Sequence, residues 1–448
     1  MKNIVISGAG DVGRYAAQVA KQEGLRVTII ETSEKAIARV ENNIDARIVS
    51  GSACHADVLR RAEVSQCDIL MAATSLDEVN LLTASIGKKM GAKSVMARIH
   101  NTSYFDESFD YRESFGVDHF VCPEQLTARA IASDLTEPNT AQIPRFAQNE
   151  IEIRNLKVSK KSSAIHTELR ELNLPPGVRI ALIKRDGHSI APEASTKLAP
   201  LDHIAVVGPS DAFKEVLTVF GQGTNGTQNL AISGAGAISE WLLKKLDLNR
   251  YRIKLFEKDI KRAEEIAEKY KRITVINEDP AEADIFSGEH LEDCHAFLAL
   301  GKNQEHNILG AMQAKSLGVP RVTSLVQSSN FLKILKNTGI DHLYSPRLEA
   351  AKALLQVANT QPIKQLARLD YKAALVYQVK VQDVCKSIGK DLADLGFPNN
   401  AFIAAIERES KVFCPIYTDK VEKGDILIII GPRGIKEFIR QSFIEQGR

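Results

Sequence analysis

The chain repeats itself, and this constrains its fold more than any other feature. Gly8, Gly10 and Glu31 recur 226 residues later as Gly234, Gly236 and Glu257. Cys67, Asn80 and Gly91 return at an offset of 227 as Cys294, Asn307 and Gly318. Asp118, His119, Pro123, Asp202, Gly208 and Pro209 return at 223 as Asp341, His342, Pro346, Asp425, Gly431 and Pro432. One inserted residue and one four-residue deletion align the halves nearly end to end, so the fold is one that can be built twice. At roughly 100–200 residues per domain, the 448 residues allow two to four domains.

Each half divides again. Residues 3–7, 26–31, 46–49, 68–73 and 94–99 are short runs rich in β-branched residues, and a sixth, His119–Val121, precedes Pro123. Helical spacing lies between several of them, as in Val12, Ala16, Val19 and Ala20, and in Leu81, Leu82, Ser85, Ile86 and Lys89. This alternation predicts an α/β protein with two tandem Rossmann-like parallel-sheet lobes, helices covering both faces. Beyond residue 145 the pattern changes. Residues 151–158 alternate apolar and polar, and a helix-like stretch at 164–172 follows. After Pro175-Pro176-Gly177 come a run at 178–184, a turn at Asp186-Gly187, and a strand at 204–207 that closes on Gly208-Pro209. A small α+β lobe is expected there, repeated from about Leu369 to Phe443. The expected domains are a first Rossmann-like nucleotide-binding domain at 1–140, a first small C-terminal lobe at 145–221, a second Rossmann-like domain at 228–362 and a second small lobe at 366–448. Residues 221–228 read as a flexible linker and 138–144 as a shorter junction.

The motif that carries chemistry is G-x-G-x-x-G at Gly8-Ala9-Gly10-Asp11-Val12-Gly13. It follows a predicted strand, opens a predicted helix, and is succeeded by Glu31-Thr32 at the end of the next strand. Gly8 allows the tight turn, Gly10 lets the backbone approach a pyrophosphate, and Gly13 lets helix and strand pack closely. The helix N-terminus offers free N–H groups to phosphates. Glu31 is suited to both ribose hydroxyls and would repel a 2′-phosphate, which favours NAD over NADP. The second copy reads Gly234-Ala235-Gly236-Ala237-Ile238-Ser239 with Glu257. A serine in place of the third glycine leaves a degenerate, empty second site as an alternative.

After the third strands, Ser52 and Asp279 are candidates to accept from an adenine amino group, Asp279 being the stronger acceptor and a plain turn aspartate the alternative. Thr74-Ser75 in the first half, and Gly301 with Lys302 in the second, follow the fourth strands, where ligands sit in such sheets. Arg98 ends the fifth strand with His100 beyond, both candidates for phosphates; a surface ion pair is the competing reading of Arg98, and Leu325 replaces it in the second half. No proton carrier is duplicated: His166, His188 and His203 have no histidine at their offset. A dehydrogenase needs such a group beside its nicotinamide. The formal charge of +2 lacks the basic excess of a nucleic-acid binder. No apolar run approaches the roughly 18 residues of a membrane span, and the opening strand leaves no room for a signal peptide. The six scattered cysteines form no C-x-x-C pair, which fits a reducing cytosol and argues against zinc.

The glycine motif, the acid ending strand two, the small lobe ending in a D…GP strand, and their duplication resemble the NAD-binding regulatory subunits of bacterial Trk potassium-uptake systems. These carry tandem regulator-of-conductance-of-potassium domains. The segments at 74–80, 97–99 and 123–125 are similar to that family as well. The resemblance spans essentially the whole chain. It implies a cytoplasmic protein, peripheral on the inner face of the plasma membrane, forming a homo-oligomeric ring, expected to be a tetramer, under a membrane potassium-translocating subunit. It also implies binding of NAD(H), with ATP and ADP as competing ligands whose exchange alters the gate, and no catalytic or metal-ligating residues. An NAD-dependent oxidoreductase with two fused halves and a structural adaptor with relic sites are the alternatives.

Overall fold

The computed structural model describes residues 2–106, 108–136, 151–186, 188–190, 192–221, 227–327, 338–358, 362–369, 374–398, 401–409, 411–432 and 434–444. The expected junction at 138–144 and most of the expected linker, 222–226, lie outside them. In chain order the strands are β1 (Asn3–Ser7), β2 (Arg26–Glu31), β3 (Arg47–Ser50), β4 (Ile69–Ala72), β5 (Ser94–Arg98), β6 (His119–Val121), β7 (Ile151–Lys157), β8 (Arg179–Arg185), β9 (His188–Ile190) and β10 (His203–Pro209). The second half supplies β11 (Gln228–Ser233), β12 (Tyr251–Phe256), β13 (Thr274–Ile276), β14 (Ala296–Ala299), β15 (Val322–Leu325), β16 (His342–Tyr344), β17 (Ile363–Leu369), β18 (Ala374–Lys380), β19 (Phe402–Arg408), β20 (Lys411–Phe413) and β21 (Ile426–Gly431). Like lobes associate: one compact unit is Met1–Ala132 with Thr227–Thr360, the other Ser133–Gly226 with Gln361–Arg448.

The first unit holds two six-stranded sheets, ordered β3-β2-β1-β4-β5-β6 and β13-β12-β11-β14-β15-β16. All neighbours in the first are parallel, as they are in the second. Strand order reverses between β1 and β4, the switch point where ligands enter doubly wound sheets. The central strands β4 and β14 are buried on both faces, which explains their unbroken apolar runs. Helix Asp11–Gln22 turns Ala16, Ala17 and Ala20 into the core. There they meet Ala350, Leu354 and Ala358 of helix Pro346–Ala358, from the other half of the chain. Small side chains on both helices let the axes approach closely. In helix Asp77–Lys89 the buried stripe runs through Asn80, Leu81, Thr83, Ala84 and Gly87, leaving Leu82 46% exposed. The duplicated Asp118 and Asp341 are clamps: each accepts from a backbone N–H of the adjacent strand, Val95 or Val322, and pairs with Lys88 or Lys315.

The second unit holds antiparallel sheets ordered β7-β10-β8-β9 and β17-β18-β21-β19-β20. One face of each enters a shared core containing Ile153, Ala181 and Val207 from one lobe and Val376, Ala405 and Ile430 from the other. Each opposite face is closed by a helix, Phe213–Val219 or Ile435–Phe443, through Phe213, Val216 and Phe220 or Ile435, Ile439 and Phe443. The expected helix at 164–172 does not form. His166 adopts φ 62°, which no right-handed helix admits, and Ser162 Oγ takes the Ala164 N–H. Ile165 and Glu168 instead bridge to Leu198 and Lys197, and only a 3₁₀ turn, Leu169–Glu171, remains. The duplicated Asp202 and Asp425 staple each lobe. Asp202 takes Arg185 through two bonds, Nε at 2.9 Å and Nη2 at 2.8 Å, plus the Ala199 N–H; Asp425 takes Arg408 and the Glu422 N–H in the same way. Among the described residues no helix is long and apolar enough to cross a membrane.

Candidate functional site

The glycine turn after β1 is forced by contact as well as by torsion. Gly8 has φ 95°, and a Cβ there would stand 3.0 Å from Ala73 O and Thr74 N in the loop after β4. A Cβ at Gly13 would fall 2.0 Å from Gly8 O. Gly10, by contrast, faces open space and starts helix Asp11–Gln22 with no side-chain cap, leaving its first amides to the cleft. Glu31 ends β2 and turns back over this loop. It accepts from Ala9 N at 2.6 Å, Thr32 N at 2.7 Å, Ser33 N at 2.9 Å and Thr32 Oγ1 at 3.2 Å. Burial pushes the Glu31 carboxyl up, but the Ser33, Ala9 and Thr32 donors outweigh it and hold it below the ordinary carboxylate range.

On the other side of the switch point, the buried Asn80 bolts two strand ends together. Its Oδ1 accepts from Thr74 N at 2.8 Å and Thr74 Oγ1 at 2.7 Å, while its Nδ2 donates to Thr74 O and Arg98 O. Arg98 reaches back with one long bond from Nη1 to Thr74 O at 3.3 Å, and its Nε is buried without a partner. No ion pair holds it among the described residues. An arginine so placed, with an orphaned donor, suits an anion that enters the cleft. Asn80→Ala removes all four bonds and strands the Thr74 and Arg98 backbone groups. It is expected to lower stability by about 2–4 kcal/mol and to loosen the Arg98 end of β5, checked by urea denaturation and by hydrogen exchange at residues 94–99.

These elements frame a cleft of about 760 Å³, a size suited to a cofactor-scale ligand. Gly8, Gly10, Asp11, Val12, Glu31, Thr32, Ser52, Thr74, Ser75 and Arg98 line it. Ala9 contributes its amide to Glu31, and Gly13 supports the turn from behind; neither lines the cleft. His100 departs from expectation. It lies outside the lining, with Nδ1 3.3 Å from Glu124 Oε1, and its own N–H is held by Asp77. Sequence reasoning missed three residues of the opposite half that also line this cleft, Gln327, Pro346 and Arg347, along with Glu124 of the first half. The signal existed: Pro123-Glu124 and Pro346-Arg347 are duplicates at an offset of 223.

The second cleft, about 790 Å³, is lined by Gly234, Ala235, Gly236, Ala237, Glu257, Asp279 and Gly301, but Ile238 is packed behind the loop. Ser239 stands where Gly13 does, and its hydroxyl donates to Gly234 O at 2.6 Å, so a hydrogen bond joins helix and loop where the first copy has the close contact that only glycine permits. Glu257 repeats Glu31, accepting from Ala235 N and Asp259 N. Asp279 is already engaged, with Lys258 at 2.5 Å, His306 at 3.1 Å and Ala281 N at 3.0 Å. Burial raises its carboxyl, and the Lys258 hydrogen bond, the Ala281 amide and nearby charge bring it below its usual value. Arg262 crosses the mouth, donating to Ala235 O at 3.0 Å and pairing with Glu240. Lys258, Lys261 and Lys302 add positive charge to the lining. Asn307 repeats the Asn80 bolt on Gly301 and Leu325. Among the described residues no His, Cys, Asp and Glu cluster is arranged for a metal ion. Burial pushes the Cys67 and Cys122 thiols up to about 12, the state of packing residues rather than nucleophiles.

Fold and clefts define a tandem Rossmann-class protein in which each nucleotide-type lobe is followed by a small antiparallel one. The TrkA-N domain matches residues 4–123 and 230–346, and the TrkA-C domain matches 153–221 and 376–441. The chain therefore belongs to the TrkA family. It is 29% identical over 440 residues to a Trk system potassium uptake protein TrkA homolog of Archaeoglobus fulgidus, covering 98% of this chain and 99% of that one. It is 27% identical over 436 residues to the Trk system potassium uptake protein TrkA of Haemophilus influenzae, covering 95% of each. Its fold is similar to that of the GsuK channel bound to NAD, with a TM-score of 0.61 at 15% identity over 98% of this chain and 78% of that chain. The RCK domain of GsuK gives a TM-score of 0.60 at 15% identity, over 98% and 95%. The first two are named as potassium uptake proteins, and none of these names is that of an oxidoreductase, the alternative that the sequence leaves open.

Proposed function

We propose that this chain is a nucleotide-binding regulatory subunit that gates a membrane potassium-uptake transporter in response to NAD(H) and adenine nucleotides. One observation carries the ligand half of this reading. An uncapped helix N-terminus, a ribose-type acid and an arginine with an unpartnered donor converge on one cleft at the switch point. Gly8, Gly10, Asp11 and Val12 would meet phosphates, Glu31 and Thr32 a ribose, Ser52 an adenine edge, and Thr74, Ser75 and Arg98 the far end of the ligand. Gly234, Ala235, Gly236, Ala237, Glu257 and Gly301 would do the same in the second cleft, with Asp279 and Arg262 already bonded within the protein. The relatives' names supply the transport half. ATP and ADP would compete with NAD(H), because a longer phosphate chain and a second ribose use the same floor. A ligand shifts a conformational equilibrium only by its differential affinity for the two states, and two such unlike ligands provide one.

The partner would be a membrane potassium-translocating protein, with this chain on its cytoplasmic face. Self-assembly into a ring, as a tetramer, is what the family resemblance implies; the duplicated Leu82 and Leu309, 46% and 65% exposed on matching helices, would be available for such contacts. The chain's domains would run 1–140, 145–221, 228–362 and 366–448. The test is potassium flux into liposomes that hold the transporter, with this protein and NADH, NAD, ATP or ADP added. Flux that differs between nucleotides is expected. Equal flux under all four would leave only an adaptor.

A further inference from the structure

We propose that Arg347 is the residue of the first cleft that discriminates phosphate-chain length. In this structure it pairs with Asp11; when a nucleoside triphosphate binds, it transfers to the terminal phosphate. This rests on the reading of the first cleft as a nucleotide site.

Arg347 belongs by sequence to the second half, yet it lines the first cleft and not the second. Its duplicate is Glu124, which lines the same cleft. Duplication thus placed one acid and one base at a single opening. Arg347 Nη2 lies 2.5 Å from Asp11 Oδ2 and 3.4 Å from Gln327 Oε1. Asp11 is the first residue of the uncapped helix, and its other oxygen takes Arg14 at 3.1 Å. That carboxylate sits beside the amides where phosphates would land. Phosphate and carboxylate repel at such range, so filling the helix N-terminus weakens the hold of Asp11 on Arg347. The pair is also easily exchanged, since Asp11 is 54% exposed and surface ion pairs contribute little. An arginine–phosphate fork is stronger and directional.

A dinucleotide continues past its pyrophosphate into a second ribose and offers Arg347 no terminal phosphate. ADP ends one phosphate earlier than ATP. Both end in a charged phosphate, and on this proposal only the longer chain of the triphosphate extends to Arg98 and Arg347 together. Because Arg347 opens helix Pro346–Ala358, whose Ala350, Leu354 and Ala358 pack on Ala16, Ala17 and Ala20, its transfer pulls on the packing between the two nucleotide lobes. The chain carries its own reporter of that packing. Its one tryptophan, Trp241 of the second lobe, lies edge-on to Phe105 of the first with ring centroids 5.4 Å apart.

The experiment titrates ATP, ADP and NADH into the purified full-length protein by calorimetry while recording tryptophan fluorescence. The variants are Arg347→Ala and Asp11→Asn, each confirmed as folded by circular dichroism. We expect Arg347→Ala to weaken ATP about tenfold or more and to abolish the ATP-induced fluorescence change, with NADH affinity kept within about twofold. Asp11→Asn, which frees the arginine, is expected to tighten ATP several-fold. The proposal is overturned if Arg347→Ala binds ATP like the parent, if it loses ATP and NADH alike, or if Asp11→Asn weakens ATP. Failure of the parent protein to bind any of the three would instead overturn the nucleotide reading of the cleft.

Discussion

Replacing Asp425 by alanine is expected to destabilise the small-lobe unit by about 3 kcal/mol, the lower end of the range for breaking a buried ion pair. Asp425 is 1% exposed and holds Arg408 through Nε at 2.8 Å and Nη2 at 2.9 Å. It also takes the Glu422 N–H at 2.8 Å, which closes the turn before β21. Alanine leaves that N–H and two guanidinium donors without their acceptor. Arg408 is 27% exposed and keeps Glu422 and Lys420 O, so water and these partners soften the loss. Urea denaturation, with hydrogen exchange along Ile426–Gly431, measures the effect. A change below about 0.5 kcal/mol would make the pair a bystander. Asp202→Ala should behave likewise, since Arg185 and Ala199 repeat the arrangement.

Arg98→Ala is expected to weaken ATP binding at the first cleft about tenfold to hundredfold, with little effect on thermal stability. A charge-assisted hydrogen bond to phosphate contributes about 1.5–3 kcal/mol, which sets that range. Stability should change little because Arg98 makes one 3.3 Å bond to Thr74 O and has no ion partner among the described residues. Its orphaned Nε even predicts a slight gain once removed. Calorimetric titration beside a thermal melt separates the two effects. Unchanged affinity for every nucleotide would remove Arg98 from the site.

Much of the first unit is legible in the sequence. Strand runs, intervening helical spacing and the glycine turn are local signals, and together they imply a switch point between β1 and β4. The small lobes are less legible. Helical spacing at 164–172 is present, but His166 and the hydroxyl of Ser162 override it with local geometry that periodicity does not encode. The closing helices Phe213–Val219 and Ile435–Phe443 carry only a short signal, the spacing of Phe213, Val216 and Phe220 in the first of them. The glycine-loop residues came from a motif with fixed spacing. Arg347 and Gln327 did not, because they reach the cleft through packing between two halves that are far apart in the chain. The repeat register set Pro346-Arg347 opposite Pro123-Glu124, but a register cannot say whose cleft each one faces.

The alanine face of helix Asp11–Gln22 has a consequence for biosynthesis. Its cover, helix Pro346–Ala358, lies more than 300 residues further along the chain. At about 5–20 residues per second, a ribosome leaves this face of the helix without that cover for on the order of half a minute. The small-lobe core meets the same delay, since Ile153 and Val207 wait for Val376 and Ile430. A product truncated midway would therefore lack the second-half partners of two apolar faces.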